Sequence, residues 1–300
     1  MPPTVDRVPP DPPPYAAGVR VAALPIRVRH YWGESLSSYA VRLAAANHTC
    51  IADLEAALVA DGRLIDSTAA RHPDRLAVWR ALGGLHPAAF TEPTHRSGEW
   101  VTDRALCLRC CAGHRCHGLL AGVGWVCLRH RRWLGTPQQQ LNRRCDPLAA
   151  ERRYRSHLAG RDVLVDSYVM RFALELAYLT VPDPERTRRR EQTGIEDPRG
   201  LVYPEQVGYA RLLCHPAFLD PATDPATPPP ARQLIIDDAL RTVTDQPSWR
   251  VTNRVRRLTA TLTGIRHQNP PGSPGDGFKA VDEFNLLRLL DPAPAARGPS

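Results

Sequence analysis

Between Cys107 and His130 the chain spaces its metal-type donors as C-x2-C-x16-C-x2-H. Each pair brackets a two-residue turn, so its donors project from one tight knuckle and can converge on a single ion, with metal–sulfur bonds of ~2.3 Å for zinc. All four donors meet only if the sixteen intervening residues double back, which makes the segment over residues 100–146 a zinc ribbon. Thiolates from Cys107, Cys110 and Cys127 with the imidazole of His130 fill a tetrahedron. No position is left for water or substrate, so the spacing predicts one structural Zn2+ that folds protein rather than activating a reactant.

Five of the eight cysteines fall between residues 107 and 127. Neither a basic leader followed by an apolar core nor a run of ~18 apolar residues is present, so the expectation is a cytoplasmic chain with no membrane partner, its thiols kept for metal. A second metal drawing on Cys111, His114, Cys116 or His117, with or without Cys145, is the alternative to reading these residues as loop side chains and spare thiols. Trp125 and Trp133 flank the second knuckle and are expected to pack over the ion. Cys50 and Cys214 sit in apolar helical contexts and read as buried, inert thiols.

The net charge of +8 is concentrated. Residues 101–160 carry eleven arginines and three acids, 11 − 3 = +8, while the rest of the chain balances 28 against 28. Arginine's planar fork suits phosphate, and a local positive field attracts polyanions. Arg109, Arg115, Arg129, Arg131, Arg132, Arg143 and Arg144 are therefore the expected nucleic-acid-binding residues, presented on a small unit that the metal makes rigid, with DNA as the partner.

The periodicity of the remainder predicts helices. After a proline-rich arm over 1–18, expected to be disordered, an extended lead-in LPIRVRHYW precedes a helical hairpin over 34–61. Its first helix places Leu36, Tyr39, Ala40, Leu43 and Ala44 on one face and stops at Asn47. Its second is expected to be capped by Thr49 and to place Ile51, Leu54, Ala57 and Leu58 together. A third helix is expected around His72 to Leu82 and a short one around Pro87. Beyond residue 150 the pattern predicts helices over Val163 to Leu179, from Pro204, over Ala231 to Val243 and over Trp249 to Leu262. A helix-free proline linker is expected over 220–231, with a short helix through Val281, Phe284, Leu287 and Leu290 and a loose tail over 291–300. The expected fold is mainly α: a helix-turn-helix-like hairpin, a central zinc ribbon with its small β element, and a C-terminal helical half.

Two separated segments resemble one family. LPIRVRHYWGESLSSYAVRLAAAN is similar to the opening of TniQ proteins, with its Gly-Glu-Ser-Leu helix start, following aromatic, Arg-Leu-Ala step and Asn. The knuckle Cys107, Cys110, then Trp125, then Cys127, His130 and Leu134 resembles that family's zinc region. The chain departs from the family pattern in having Leu108 after the first cysteine and only Cys145 where a second C-x2-C is common. The resemblance covers residues 22–146, and on it a TniQ-like domain is drawn over 19–150, with a helical region over 151–300.

The resemblance implies a non-enzymatic accessory protein of DNA transposition, which selects a target and recruits an AAA+ ATPase and, through it, a transposase. The hairpin and the ribbon are the parts that would touch DNA or a partner. No G-x-S-x-G elbow, P-loop or H-E-x-x-H helix is present, in keeping with a protein that is not an enzyme. A DNA-binding regulator outside transposition is the nearest alternative, and a zinc hydrolase built on His114 and His117 is the alternative from another class.

Overall fold

Ser35 opens the first helix by accepting a hydrogen bond from the Ser38 backbone N–H, and Asn47 closes it. This helix is α1 (Leu36–Ala46), in a computed structural model that describes residues 22–64, 72–90, 103–120, 122–142, 146–161 and 163–268. The proline-rich arm, the segment from Val281 to Leu290 and the tail over 291–300 lie outside the described residues. The chain divides into two compact units, residues 1–92 with 116–118, and residues 93–115 with 119–300. That division differs from the one drawn at residue 150, because the cysteine-rich segment groups with the helices that follow it.

In the first unit α1, α2 (Ile51–Ala60) and α3 (Pro73–Gly83) enclose Tyr39, Leu43, Leu58, Trp79, Leu82 and Phe90. Proline begins α3, where its missing N–H costs nothing, and Gly84 ends it in a left-handed conformation at φ 61°. The side chain that caps α2 belongs to Cys50, which accepts from the Asp53 N–H, and not to Thr49. Cys50 is accordingly exposed instead of buried. The stretch around Pro87 is a turn, not a helix.

Glu34, Arg42 and Asn47 each hold this unit together. Glu34 is buried and receives two hydrogen bonds from Arg42, of 2.8 and 2.6 Å, together with one from Ser38 Oγ and one from the Tyr31 N–H. The Arg42 guanidinium lies 4.9 Å from the Tyr31 ring centroid. The Asn47 amide pairs with both the N–H and the C=O of Ile26, fixing the lead-in. Strand β2 (His117–Gly118) returns to the start of α1: the Ser35 N–H donates to the His117 carbonyl at 3.0 Å, and Gly118 bridges Glu34. A Cβ at Gly118 would stand 1.8 Å from the Gly33 carbonyl oxygen, so only glycine fits.

The second unit contains α4 (Asp146–His157), α5 (Tyr168–Thr180), α6 (Asp183–Thr193), α7 (Pro198–Leu213), α8 (Pro216–Thr223), α9 (Pro229–Arg241) and α10 (Trp249–Gln268). Its centre is α7, whose Leu201, Val202, Tyr203, Val207, Tyr209, Ala210 and Leu213 are buried among α4, α5 and the later helices. The expected linker over 220–231 is instead the end of α8, a short turn and the start of α9. Helices α7, α8 and α9 each start on a proline at the first helical position, so residues read as breakers serve as starters. The expected start at Pro204 is corrected in the same way: Pro198 begins α7 and Pro204 lies inside it, removing one backbone bond. Helix α5 begins at Tyr168 behind the Ser167 cap, five residues later than expected. Helices α4, α6 and α8 lie outside the expected set.

The cysteine-rich segment contributes β1 (Arg104–Ala105) and an antiparallel sheet of β3 (Val126–Cys127), β4 (Arg132–Trp133) and β5 (Gln139–Gln140). Val126 pairs with Trp133 and Trp133 with Gln139. Val126, Trp133 and Leu141 are buried in the same core as α4, α5 and α7, so this segment shares the helices' apolar interior. No helix of the described residues is long and apolar enough to cross a membrane.

Candidate metal centre

The first knuckle is a turn in which the Cys111 N–H donates to the Cys107 carbonyl at 3.0 Å and the Gly113 N–H to the Leu108 carbonyl at 2.7 Å. The second lies between β3 and β4 and is closed by Arg131 in the left-handed region at φ 49°. Together they bring Cys107, Cys110, Cys127 and His130 so close that all four donor atoms lie within 4.8 Å of one another. Cys107 and Cys127 are buried, His130 is half-buried and Cys110 is exposed.

The donor spacing itself tests the fit. For bonds of about 2.3 Å to sulfur and about 2.05 Å to nitrogen, a regular tetrahedron has S···S edges of about 3.8 Å and S···N edges of about 3.5 Å. The Cys110 and Cys127 sulfurs are 3.8 Å apart, and the His130 Nδ1 lies 3.6, 3.3 and 3.7 Å from the sulfurs of Cys107, Cys110 and Cys127. These residues fit a tetrahedral metal ion bound through Nδ1.

Electrostatics favour a cation among these donors. The Cys107 thiol is pushed down to about 4, chiefly by the hydrogen bond from Cys127, against the cost of burial. Cys127 is pushed up because it holds the proton of that bond and is itself buried. Burial, then the negative charge on Cys107, raises Cys110, and Arg129 offsets a part. Three thiols this close cannot all ionise by themselves. A divalent ion among them reverses that balance and makes thiolates of all three.

Buried polar contacts join the knuckles to the helices. The Glu151 carboxylate on α4 is fully buried and accepts from the N–H groups of Gly124 and Val126, from Tyr203 Oη at 2.8 Å and from Arg155 Nε at 2.6 Å. A Cβ on Gly124 would lie 2.3 Å from that carboxylate. The Trp133 indole donates to Asp197 at 3.1 Å. Burial opposes ionisation of Asp197, but bonds from Arg199 and Trp133 outweigh it and hold the carboxyl below its ordinary value.

The run Gln138–Gln140 fastens three places. Gln138 accepts from the Leu108 N–H and donates to the Leu106 carbonyl, gripping the first knuckle. Gln140 donates to the carbonyls of His130 and Arg131 in the second. Gln139 donates to the Gly194 carbonyl and accepts from the Glu196 N–H, tying β5 to the turn before α7.

The other residues singled out in the sequence separate into used and available. Arg109, Arg115 and Arg129 are exposed and Arg131 half-exposed, and none of the four makes an ion pair among the described residues. Arg132 is partly spent on the Gln138 carbonyl at 3.1 Å. Arg143 and Arg144 lie outside the described residues, as does Cys145. Of the remaining clustered arginines, Arg104 is buried on the carbonyls of Leu120, Val123 and Gly124, and Arg155, half-buried, is bound to Glu151. Cys111 and Cys116 are core residues rather than loop thiols, His114 and His117 are exposed, and none of them belongs to a metal-competent cluster of the described residues. The tryptophans stack on each other with centroids 6.0 Å apart. Trp133 packs edge-on to Tyr203, and the guanidinium of Arg199 lies 4.3 Å from the Trp125 ring, so both serve the junction with the helices.

Comparisons with protein-family models, with curated proteins and with solved structures found no match.

Proposed function

We propose that this chain is a non-enzymatic, DNA-binding accessory protein of transposition, with one structural zinc ion. The observation that carries the structural role of the metal is the convergence of three thiols and one imidazole at tetrahedral spacing. A complete protein donor set leaves no open coordination position for a substrate, and a soft set of three sulfurs and one nitrogen selects zinc among the common ions. As a zinc ribbon, the lobe would hold Arg109, Arg129 and Arg131 around a rigid pair of knuckles and present them to a phosphate backbone.

The link to transposition rests on the TniQ-like segments over residues 22–146 and carries with it the recruitment of an AAA+ ATPase and a transposase. Within that reading the helix-turn-helix-like hairpin is better suited to protein than to DNA. Helix α2 carries an exposed Asp53 and no basic residue, its Glu55 is paired with Arg75, and Arg42 on α1 is spent on Glu34. A recognition helix entering a groove lined by phosphates would meet repulsion from such a surface.

The test is metal content per chain together with duplex-DNA affinity across a salt series. One zinc per chain is expected. The variant Arg109→Gln/Arg129→Gln/Arg131→Gln is expected to weaken binding to all sequences alike and to lower the salt slope by up to ~0.9 per lost phosphate contact. An unchanged slope would overturn the assignment of these arginines to DNA. Adjacent reading frames for an AAA+ ATPase and a transposase are the expected genomic setting.

A further inference from the structure

Helices α5 and α10 leave between them an open groove of about 580 Å³, of the size that small ligands and nucleobases occupy. Its most unusual wall is Trp249, which is 71% exposed. The buried stripe of α10 is Val251, Val255, Leu258 and Leu262, so Trp249 stands off the face that packs and contributes little to the core. Tyr178 and Leu179 line it from α5, and Asn253 adds an amide from α10.

The groove is cationic once its pairs are taken out. Glu175, its one acid, is bound by Arg254 at 2.8 Å. Arg250 and Arg257 line the same groove, are exposed and make no ion pair among the described residues. Arg250 lies beside the indole, 6.0 Å from its ring, and Arg257 follows two turns later, about 10 Å along the helix at 1.5 Å per residue.

We propose that this groove binds single-stranded nucleic acid, with an unpaired base stacked on Trp249 and the adjoining phosphates on Arg250 and Arg257. An open ring face is sufficient for stacking, which is tolerant of base identity, and arginines spaced along a helix follow a backbone. An acidic peptide would need an enclosed apolar floor for an anchoring side chain, and here Leu179 is the sole aliphatic wall. The site shares no residue with the metal lobe, and its success or failure is separate from that of the zinc ribbon as a duplex-binding unit.

The experiment uses the full chain and a labelled 12-nucleotide oligothymidylate, followed by anisotropy and by tryptophan fluorescence. Trp249→Ala is expected to weaken binding about 5- to 100-fold without changing the melting temperature, while Trp249→Phe retains most of the affinity and loses most of the quenching. Arg250→Gln/Arg257→Gln is expected to lower the salt slope by about 1.4, at ~0.7 per phosphate of a single strand. Unchanged affinity in Trp249→Ala overturns the proposal. So does loss of oligonucleotide binding in Arg109→Gln/Arg129→Gln/Arg131→Gln alone, which would assign the strand to the metal lobe. Displacement by polyglutamate with equal quenching of Trp249 would make the groove a site for acidic protein and also overturn it.

Discussion

Replacing Glu151 by Gln keeps the side chain's shape, removes its charge and turns one acceptor into a donor. The carboxylate receives four hydrogen bonds, and an amide in its place would point an N–H at another N–H while leaving Arg155 without its anion. The expected cost is about 2–4 kcal/mol in denaturant unfolding, the range for breaking a buried, hydrogen-bonded charge. A loss under 1 kcal/mol would mean that water satisfies the site. Asp197 gives a pH-dependent counterpart. Its folded pKa is held below the unfolded value, so it stabilises above about pH 4 and that contribution is lost as pH falls through the folded value. Asp166, raised by burial, runs in the opposite sense, so the whole protein shows only the sum. Asp197→Asn is therefore expected to be less stable at neutral pH and to lose less on acidification from pH 5 to 2 than the parent. The convergence of Cys107, Cys110, Cys127 and His130 was legible in the sequence because a fixed spacing between rare side chains carries geometry with it. Glu151 was not, because apart from Arg155 four residues on, its partners lie 25 to 52 residues away and nothing local marks a carboxylate as buried.

At the scale of elements, α1, α3, α9 and α10 were readable from apolar periodicity, and their observed bounds depart from expectation mainly at the ends. Helices α6 and α8 were hidden for different reasons. The first, DPERTRRREQT, buries no residue and shows no stripe. The second lies in a proline-rich run in which Pro216 serves as the first helical residue while Phe218, Leu219 and Ala222 supply the buried face. Strands of two residues are too short for alternation to appear, and their order depends on the knuckles and on the glutamines beside them. Gln138→Ala removes both bonds that hold the backbone around the first knuckle. We expect a 10- to 100-fold loss of metal affinity in competition with a chelator, the size found when groups that orient a metal's ligands are removed, with little change in helix content. Unchanged affinity would show that the knuckle holds its shape unaided.

Across the whole molecule, the cysteine-rich lobe has a core of its own only in part, since Val126, Trp133 and Leu141 belong to the interior of α4, α5 and α7. Metal removal is therefore expected to loosen both knuckles and lower the melting temperature while far-UV circular dichroism at 25 °C changes little. The near-UV signal of Trp125 and Trp133 should report the release. Complete loss of helix on chelation would mean that the ion organises the entire second unit. The concentrated arginine charge was visible in the composition, but its division into internal and external uses was not, because Arg104 and Arg155 bind backbone carbonyls that only the fold brings to them.

Residues 116–118 complete the first unit although the chain on both sides of them belongs to the second. A fragment cut near residue 100 would thus lack the backbone carbonyl that receives the Ser35 N–H and the glycine that bridges Glu34. During synthesis, the N-terminal helices must wait for Gly118 to clear the ribosome before they can finish folding, so translation of the knuckle region sets the earliest moment at which either half is whole.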